Sequence, residues 1–280
     1  MNKIHEKLTE LTNHKNIILT NRGNTAIRLA LKQVKKLNKD NDRKMILIQD
    51  QGGWMSYHKF TEKLKLQKFD LKTTFGVISG YQLEKALKRY NNFAALIYQN
   101  PAGYYADQPY KEIYEVCKKY NIICILDITG CIGLDKFGDY ADILVCSFGE
   151  NKPLNLGYGG FLSFKDEKMA EQCEYKLEEQ NKEIHDKIIK NLPKTLDKLG
   201  ARYGKLFTEV GKIKQDLGKM KILHKDKKGI NVVIMYRNDK DKQKIIDYCK
   251  KNKYEFTECP RYIRVNANAI SIEVKRMSTD

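Results

Sequence analysis

The sequence has little proline, a single tryptophan and no long apolar run. Of its 280 residues 5 are proline and 1 is tryptophan. No apolar stretch approaches the roughly 18 to 20 residues of a membrane-spanning helix. The segment Met1–Glu6 has no apolar core of the kind that a secretory signal requires. We therefore expect a cytoplasmic protein with no membrane span.

The cysteines and histidines form no recognisable pattern. The 7 cysteines are odd in number, and no two of them have CxxC spacing. This distribution favours reduced, packed thiols over a disulfide framework. The 5 histidines show no metal-ligand spacing, so the sequence predicts no metal site.

The sequence has fewer acidic than basic residues. It contains 52 Lys and Arg and 35 Asp and Glu, which gives a net charge of +17. A basic surface can bind nucleic acid or another polyanion through its phosphates. It can equally consist of solvated helix faces, such as those of residues 182–198 and 212–228. We favour solvated faces, because no recognition helix, zinc finger or RNA-binding motif is present.

Residues 1–165 alternate between short apolar runs and amphipathic segments. The predicted strands are 17–19, 45–48, 94–98, 122–126 and 142–146, and the predicted helices are 3–12, 26–37, 55–64, 82–90 and 110–120. Continuous apolar strands separated by helices are typical of a parallel sheet with both faces covered. The first 165 residues are therefore predicted to form an α/β layer.

Residues 166–280 have a different pattern. A charged helical region extends over about 165–219, with interruptions near 191–193 and at Gly200. Strands are predicted at 230–236, 262–265 and 270–274, with a helix at 240–251. This pattern predicts a smaller α+β domain over residues 166–280.

Polar residues follow several of the predicted strands, where ligands bind in parallel sheets. Gly23-Asn24-Thr25 begins a helix, and its backbone N–H groups with the Thr25 hydroxyl could bind a phosphate. The alternative is an ordinary helix N-cap.

Two further strand ends carry reactive groups. Asp127 directly follows an apolar strand, and a buried carboxylate there needs a cationic partner. The next strand ends at Ser147, and Lys152 lies five positions on, before the glycine-rich run 157–160. A partly neutral lysine beside such a site is nucleophilic towards an aldehyde.

Together these residues resemble the fold-type I pyridoxal-phosphate enzymes, most closely the DegT-like sugar aminotransferases with their Ser-Phe-His-x-x-Lys motif. The resemblance covers most of residues 17–165. It implies a three-layer α/β/α large domain with a mainly parallel sheet and a reduced C-terminal α+β small domain. It also implies pyridoxal 5'-phosphate as cofactor, with a Schiff base at Lys152, the pyridine nitrogen on Asp127, and the phosphate on Ser147, Gly23, Asn24 and Thr25.

Three other positions fit this family in outline. Trp54 lies where relatives carry an aromatic ring that stacks on the cofactor, and core packing is its alternative role. Asn100 begins an Asn-Pro-Ala-Gly turn similar to one that contacts the cofactor's phenolic oxygen. Arg264 lies on the predicted strand 262–265, where relatives hold an arginine for the substrate carboxylate. Arg261 is the other candidate, and a strand-edge charge in water is the alternative role of both.

The sequence also departs from the family at two positions. Gly130 stands where relatives have Gln or His three residues after the aspartate, and Gly149 replaces their His after Ser-Phe. The resemblance implies a homodimeric aminotransferase with a small-molecule amino donor and acceptor. The alternatives are a pyridoxal-phosphate lyase or transferase acting on an amino acid, possibly tRNA-linked, and a catalytically degenerate partner subunit.

Overall fold

The computed structural model describes residues 2–173, 175 and 177–278. Seven strands form the first sheet: β1 (Asn16–Thr20), β2 (Met45–Gln49), β3 (Gln67–Leu71), β4 (Phe93–Gln99), β5 (Ile123–Asp127), β6 (Ile143–Ser147) and β7 (Gly160–Phe164). The helices associated with this part of the chain are α1 (Asn2–Thr12), α2 (Gly23–Leu37), α3 (Ser56–Lys63), α4 (Gly80–Arg89) and α5 (Tyr110–Lys119). The five helices and five strands predicted for this region are confirmed, whereas β3 and β7 were missed.

The first sheet is mainly parallel. Its strand order is β1-β7-β6-β5-β4-β2-β3. Strands β2 to β6 pair in parallel, and β7 runs antiparallel between β6 and β1. This topology brings the carboxyl ends of β4, β5 and β6 to one edge of the sheet.

Helices cover both faces of this sheet. Alternate strand residues such as Ile46, Ile97 and Val145 pack against α2 and α3 on one face. Their neighbours, such as Leu47, Leu96 and Leu144, join the core formed with α1, α4 and α5 on the other. The fully apolar strands follow from this double burial. The predicted three-layer α/β/α architecture is confirmed.

The C-terminal part contains the small second unit. After α6 (Glu167–Glu171) come α7 (Leu177–Asp197) and α8 (Leu199–Asp216), and then β8 (Lys221–Ile222), β9 (Val232–Met235), α9 (Asp239–Lys251), β10 (Phe256–Cys259) and β11 (Ala269–Ile272). The four strands form an antiparallel sheet in the order β10-β11-β9-β8. The predicted C-terminal α+β unit is therefore present.

The C-terminal prediction missed β8 and β10, and two of its details were wrong. Pro193 lies inside α7, and the break between α7 and α8 falls at Lys198. Residues 262–265 form a turn, in which Arg264 N–H donates to the Arg261 carbonyl. Short apolar runs indicate a strand only where a neighbouring strand can accept their hydrogen bonds.

No helix in the described residues is both long enough and apolar enough to cross a membrane.

Candidate active site

A cavity of about 420 Å³ lies at the carboxyl ends of β5 and β6. It is lined by residues from the α2 N-terminus, the loops after β2, β4, β5 and β6, and the glycine-rich run. Six of the predicted site residues line it: Gly23, Asn24, Trp54, Asp127, Ser147 and Lys152. Residues far apart in sequence are thus brought together as the strand-end prediction expected.

The turn at the start of α2 closely approaches the end of β6. A Cβ added to Gly23 would lie 2.4 Å from the Ser147 Cβ, so only glycine permits this contact. The preceding Arg22 makes no side-chain capping bond, and it lines the cavity. The first N–H groups of a helix have no intrahelical partner and favour an anion. This corner is therefore suited to a phosphate.

The two residues after Gly23 have different roles. The Asn24 Oδ1 accepts hydrogen bonds from Trp54 Nε1 at 2.9 Å and from Ser56 Oγ at 3.0 Å. The Thr25 hydroxyl donates to Asn21 Oδ1 at 2.6 Å, and Thr25 is not among the residues that line the cavity. The structure thus places Thr25 behind the turn, where it stabilises the loop before α2.

Asp127 ends β5 with its carboxylate buried. Its Oδ1 accepts from the Thr129 backbone N–H at 2.9 Å, and its Oδ2 accepts from the Tyr57 hydroxyl at 2.6 Å. Burial raises the pKa of Asp127, although the hydrogen bonds from Thr129 and Tyr57 and the charge of Lys152 oppose that rise. A cation placed against this carboxylate would offset the cost of its burial.

The Lys152 amine lies between aromatic rings. Its Nζ is 5.5 Å from the centre of the Trp54 ring and 5.1 Å from that of the Tyr104 ring. Lys152 is half-buried, in the loop between β6 and β7. This amine faces the same cavity as Asp127 and Gly23.

Asn100 lies outside this cavity. Its Oδ1 accepts from the Gln108 backbone N–H at 2.9 Å, and its Nδ2 is 3.4 Å from the Cys131 Sγ. The side chain is buried and holds the loop after β4. The predicted cofactor contact is therefore not supported by its position.

The prediction for Arg264 as a carboxylate receptor is not supported. Its Nε and Nη2 each donate to a Glu273 carboxylate oxygen at 2.6 Å, and its Nη1 donates to the Ile263 carbonyl at 2.7 Å. Arg264 is 3% exposed. Since its guanidinium is already bound by a buried carboxylate, it is not available to a substrate.

The sequence did not indicate four residues of the site: Arg22, Tyr57, Tyr104 and Thr129. Thr129 also accepts from the Ser147 N–H at 3.0 Å, which joins the ends of β5 and β6. Thr129 lies two residues after Asp127, and this position at the end of a strand could have indicated that it belongs to the site. Tyr57 lies in α3 and Tyr104 in the loop after β4, and neither belongs to a motif that indicates a site.

Two family models match the chain. Residues 1–190 match the DegT/DnrJ/EryC1/StrS aminotransferase family, and residues 201–280 match the MJ1341 family C-terminal domain. The chain belongs to the DegT/DnrJ/EryC1/StrS aminotransferase family. This DegT-family protein is therefore an enzyme, a pyridoxal-phosphate-dependent transferase of the aminotransferase type with a small-molecule amino donor and acceptor.

Solved structures support the fold of this DegT-family protein. Helicobacter pylori PseC, an aminotransferase involved in the biosynthesis of pseudoaminic acid, is 15% identical, with a TM-score of 0.76 over 97% of this chain and 84% of that chain. The 3-amino-5-hydroxybenzoic acid synthase is 11% identical, with a TM-score of 0.72 over 99% and 87%. Alanine–glyoxylate aminotransferase from Nostoc sp. is also 11% identical, with a TM-score of 0.69 over 97% and 80%. No curated protein sequence matches the chain.

Proposed function

We propose that this DegT-family protein binds pyridoxal 5'-phosphate in the cavity at the ends of β5 and β6, with Lys152 as the residue that holds the aldehyde. The observation that carries the proposal is the shared cavity. It brings an amine, a buried carboxylate and the helix N-terminus at Gly23, which packs closely on Ser147, to one place. These are the three groups that an aldehyde, a ring nitrogen and a phosphate would need.

Each end of the cofactor has a matching group in the chain. Gly23, Asn24 and Ser147 would bind the phosphate, with the α2 N-terminus and Arg22 supplying positive charge. The Asp127 carboxylate would hold the proton on the pyridine nitrogen, since burial raises the pKa of Asp127 and a positive partner offsets that cost. Trp54 would flank the ring.

The chemistry is then divided between cofactor and protein. When bound, pyridoxal phosphate supplies an electron-withdrawing ring. The Lys152 amine would move a proton at its Nζ once it is released from the aldehyde. The Thr129 N–H and the Tyr57 hydroxyl would keep the Asp127 carboxylate oriented.

The test is the colour of the protein. Purified wild type, supplied with pyridoxal 5'-phosphate, is expected to show a visible absorbance band that borohydride removes with covalent retention of the cofactor at Lys152. The Lys152→Ala variant should lack this band. Lys165→Ala is the matched control, because Lys165 is a lysine outside the cavity that donates to the Asp139 carbonyl. A colourless wild type that takes up no cofactor would refute the proposal.

The proposal extends to a homodimer. The family resemblance implies this state, with the active site at the interface of the two copies. Met55 is 64% exposed and directly follows Trp54 of the cavity, so a second copy at this interface would cover it. Light scattering of the wild type should give twice the chain mass. A monomer at every concentration would contradict the extension.

We also propose that the chain divides near residue 165 into a cofactor-binding domain, 1–165, and a small domain, 166–280, and that it works in the cytoplasm. β7, the last strand of the first sheet, ends at Phe164, and the second sheet begins only at β8. Six of the seven cysteines are buried thiols outside any disulfide, which suits a reducing compartment. Limited proteolysis should cut first between β7 and α7, and initial cleavage within either sheet would oppose the division.

A further inference from the structure

Tyr104 occupies space that a side chain at position 130 would need. A Cβ added to Gly130 would lie 2.9 Å from the Tyr104 Cδ1 and 2.8 Å from the Pro101 Cδ. Gly130 is three residues after Asp127, the position at which the sequence departs from its family. The Tyr104 ring can therefore occupy this position only because residue 130 has no side chain.

The backbone of Tyr104 is fixed by the C-terminal part of the chain. Its φ of 69° lies in the left-handed region, which is unfavourable for a bulky residue. The Tyr104 carbonyl accepts from the Ile230 N–H at 2.7 Å and from the Asn231 N–H at 3.0 Å. Such a conformation persists where surrounding contacts impose it, and it is common at functional sites. The segment before β9 thus sets the direction of the ring.

Three cations surround the Tyr104 ring. Lys152 Nζ is 5.1 Å, Lys275 Nζ 5.0 Å and the Arg264 Cζ 5.3 Å from its centre. A cation within about 6 Å of an aromatic face is attracted by the ring quadrupole, more strongly where water is excluded. Tyr104 is 4% exposed, so its ring provides such a face.

The three cations differ in their carboxylate partners. Arg264 pairs with Glu273 at 2.6 Å, and Lys275 lies 3.7 Å from the same carboxylate. Among the residues that the structure describes, no ion pair includes Lys152. The Asp127 carboxylate acts on Lys152 through its charge, and the aromatic rings of Tyr104 and Trp54 lie beside its amine.

We infer that Tyr104 is a positioning residue whose ring, held over Gly130 by the C-terminal chain, aims the Lys152 amine into the cavity. The inference rests on the proposed role of Lys152. It assigns the function to the ring face rather than to the hydroxyl. The charge of Lys152 also lowers the pKa of the Tyr104 hydroxyl, against the larger effect of burial, so the two parts of the side chain have to be separated by substitution. Phenylalanine should therefore replace Tyr104, and leucine should not.

The test follows cofactor capture by the full-length protein. After addition of pyridoxal 5'-phosphate, the rate of formation of the visible band and its visible circular dichroism are measured. Tyr104→Phe should stay within about twofold of wild type. Tyr104→Leu should form the band roughly five- to tenfold more slowly, as expected for the loss of one cation–ring contact, and should lose most of the dichroism. The dichroism reports a fixed orientation of the chromophore, which a purely structural role would not alter in a folded variant.

Two further variants make the test decisive. Tyr105→Leu is the matched control, because the neighbouring ring stacks on His224 at 6.1 Å and is not among the residues that line the cavity. It should behave as wild type. Gly130→Ala should displace the Tyr104 ring and reproduce the Tyr104→Leu result, and it decides the question if Tyr104→Leu does not fold.

The outcomes separate this inference from the proposed function. If the wild type forms no band, the proposed function fails. If the wild type forms the band and the variants that remove or displace the ring match its rate and dichroism, the inference alone is overturned. Equal losses in Tyr104→Leu and Tyr105→Leu would also overturn it, because the effect would then not be specific to the ring in the cavity.

Discussion

At the residue scale, the Asp127 carboxylate combines burial with two well-placed donors. Tyr57 is fully buried, and its hydroxyl donates to the carboxylate at 2.6 Å. Burial and then the charge of Asp127 raise the pKa of Tyr57, so this hydroxyl remains protonated and a donor. The carboxylate is thereby held in one orientation, with its negative charge available to a cation.

We predict that Asp127→Asn keeps the shape of the site but loses its charge. The variant should still capture pyridoxal 5'-phosphate, whereas turnover of an amino donor should fall about a hundredfold or more, as when an electrostatic partner of the reacting group is removed. Single-turnover kinetics with a panel of amino donors measure the loss. Asp139→Asn, at an exposed position where the carboxylate accepts from Asn13, is the control. Wild-type turnover in Asp127→Asn would contradict this role.

A second prediction concerns Lys275, which is buried beside the Lys152 loop and donates to the Asn151 carbonyl at 3.4 Å. Burial, and then the charge of Lys152, lower the pKa of Lys275 to about 7. The unfolded chain has an ordinary lysine pKa of about 10.4, so above pH 7 it binds more protons than the folded chain. The free energy of unfolding should therefore rise with pH between about 7 and 10 because of this residue.

Lys275→Met should remove that rise. Urea unfolding at pH 7 and pH 9 should show an increase in stability that is about 1–2 kcal/mol larger in wild type than in the variant. Lys240→Met, at an exposed lysine in α9, should behave as wild type. Equal pH dependence in wild type and Lys275→Met would show that Lys275 titrates normally.

At the element scale, the N-terminus of α2 depends on its contact with β6. The Gly23→Ala variant would place a methyl group 2.4 Å from the Ser147 Cβ. We expect cofactor binding to weaken at least roughly tenfold and the protein to lose about 1–3 kcal/mol of stability through overpacking. Cofactor titration and thermal unfolding measure the two effects.

Gly204→Ala in α8 is the matched control for that substitution. A Cβ at Gly204 meets nothing within 4 Å, so the same change there is unhindered. Because alanine is favoured over glycine inside a helix, this variant should gain about 0.5–1 kcal/mol with unchanged cofactor binding. A Gly23→Ala variant that binds the cofactor as wild type would exclude the proposed phosphate corner.

The elements that the sequence did not predict have physical causes. β3 is an edge strand, and most of its residues are at least partly exposed, so it lacks the apolar run on which the prediction relied. β7 is fully buried but follows directly on the glycine-rich run, which obscured its start. Residues 262–265 have the composition of a strand but no neighbouring strand to pair with. Local pattern is informative where both faces of a strand are buried, and less so elsewhere.

The candidate site, like the fold, was predictable where its residues follow buried strands and unpredictable where they depend on tertiary packing. Gly23, Asp127, Ser147 and Lys152 follow strands of the first sheet or the α2 start, and their meeting in one cavity follows from the topology. Tyr57 could not be predicted, because its role depends on the packing of α3 against the end of β5. Tyr104 could not be predicted, because its place depends on how the loop after β4 packs against the C-terminal chain. The pairing of Arg264 with Glu273 could not be predicted for a related reason, since no local pattern reveals this buried partner.

At the scale of the whole molecule, the Glu273 carboxylate joins several segments of the C-terminal part. It accepts from Arg264, from the Asn231 Nδ2 at 3.1 Å and from the Ser271 hydroxyl at 3.0 Å. Burial would raise the pKa of Glu273, but Arg264 and Lys275 outweigh that effect and lower it to about 2. This carboxylate therefore remains ionised at all ordinary pH values.

Glu273→Gln should destabilise the protein strongly, because it leaves the buried Arg264 guanidinium without its counter-charge. The expected loss is about 3–5 kcal/mol in urea unfolding. Glu255→Gln is the control, since Glu255 is 62% exposed in its pair with Arg276 and such pairs contribute about 0–1 kcal/mol. Similar losses of unfolding free energy in both variants would show that the buried pair stabilises the protein no more than the exposed pair does.

The position of β1 has a consequence for the order in which the site can assemble. Within residues 2–173, 175 and 177–278, β1 pairs with β7 alone, and Thr20 lies opposite Gly160 in the sheet. Pairing between residues so distant in sequence is slow, and domains are synthesised from the N-terminus. A ribosome must therefore translate through β7 before the turn at Gly23 can meet Ser147. Nascent chains that end before this strand should be unable to retain the coenzyme, however completely their central strands have folded.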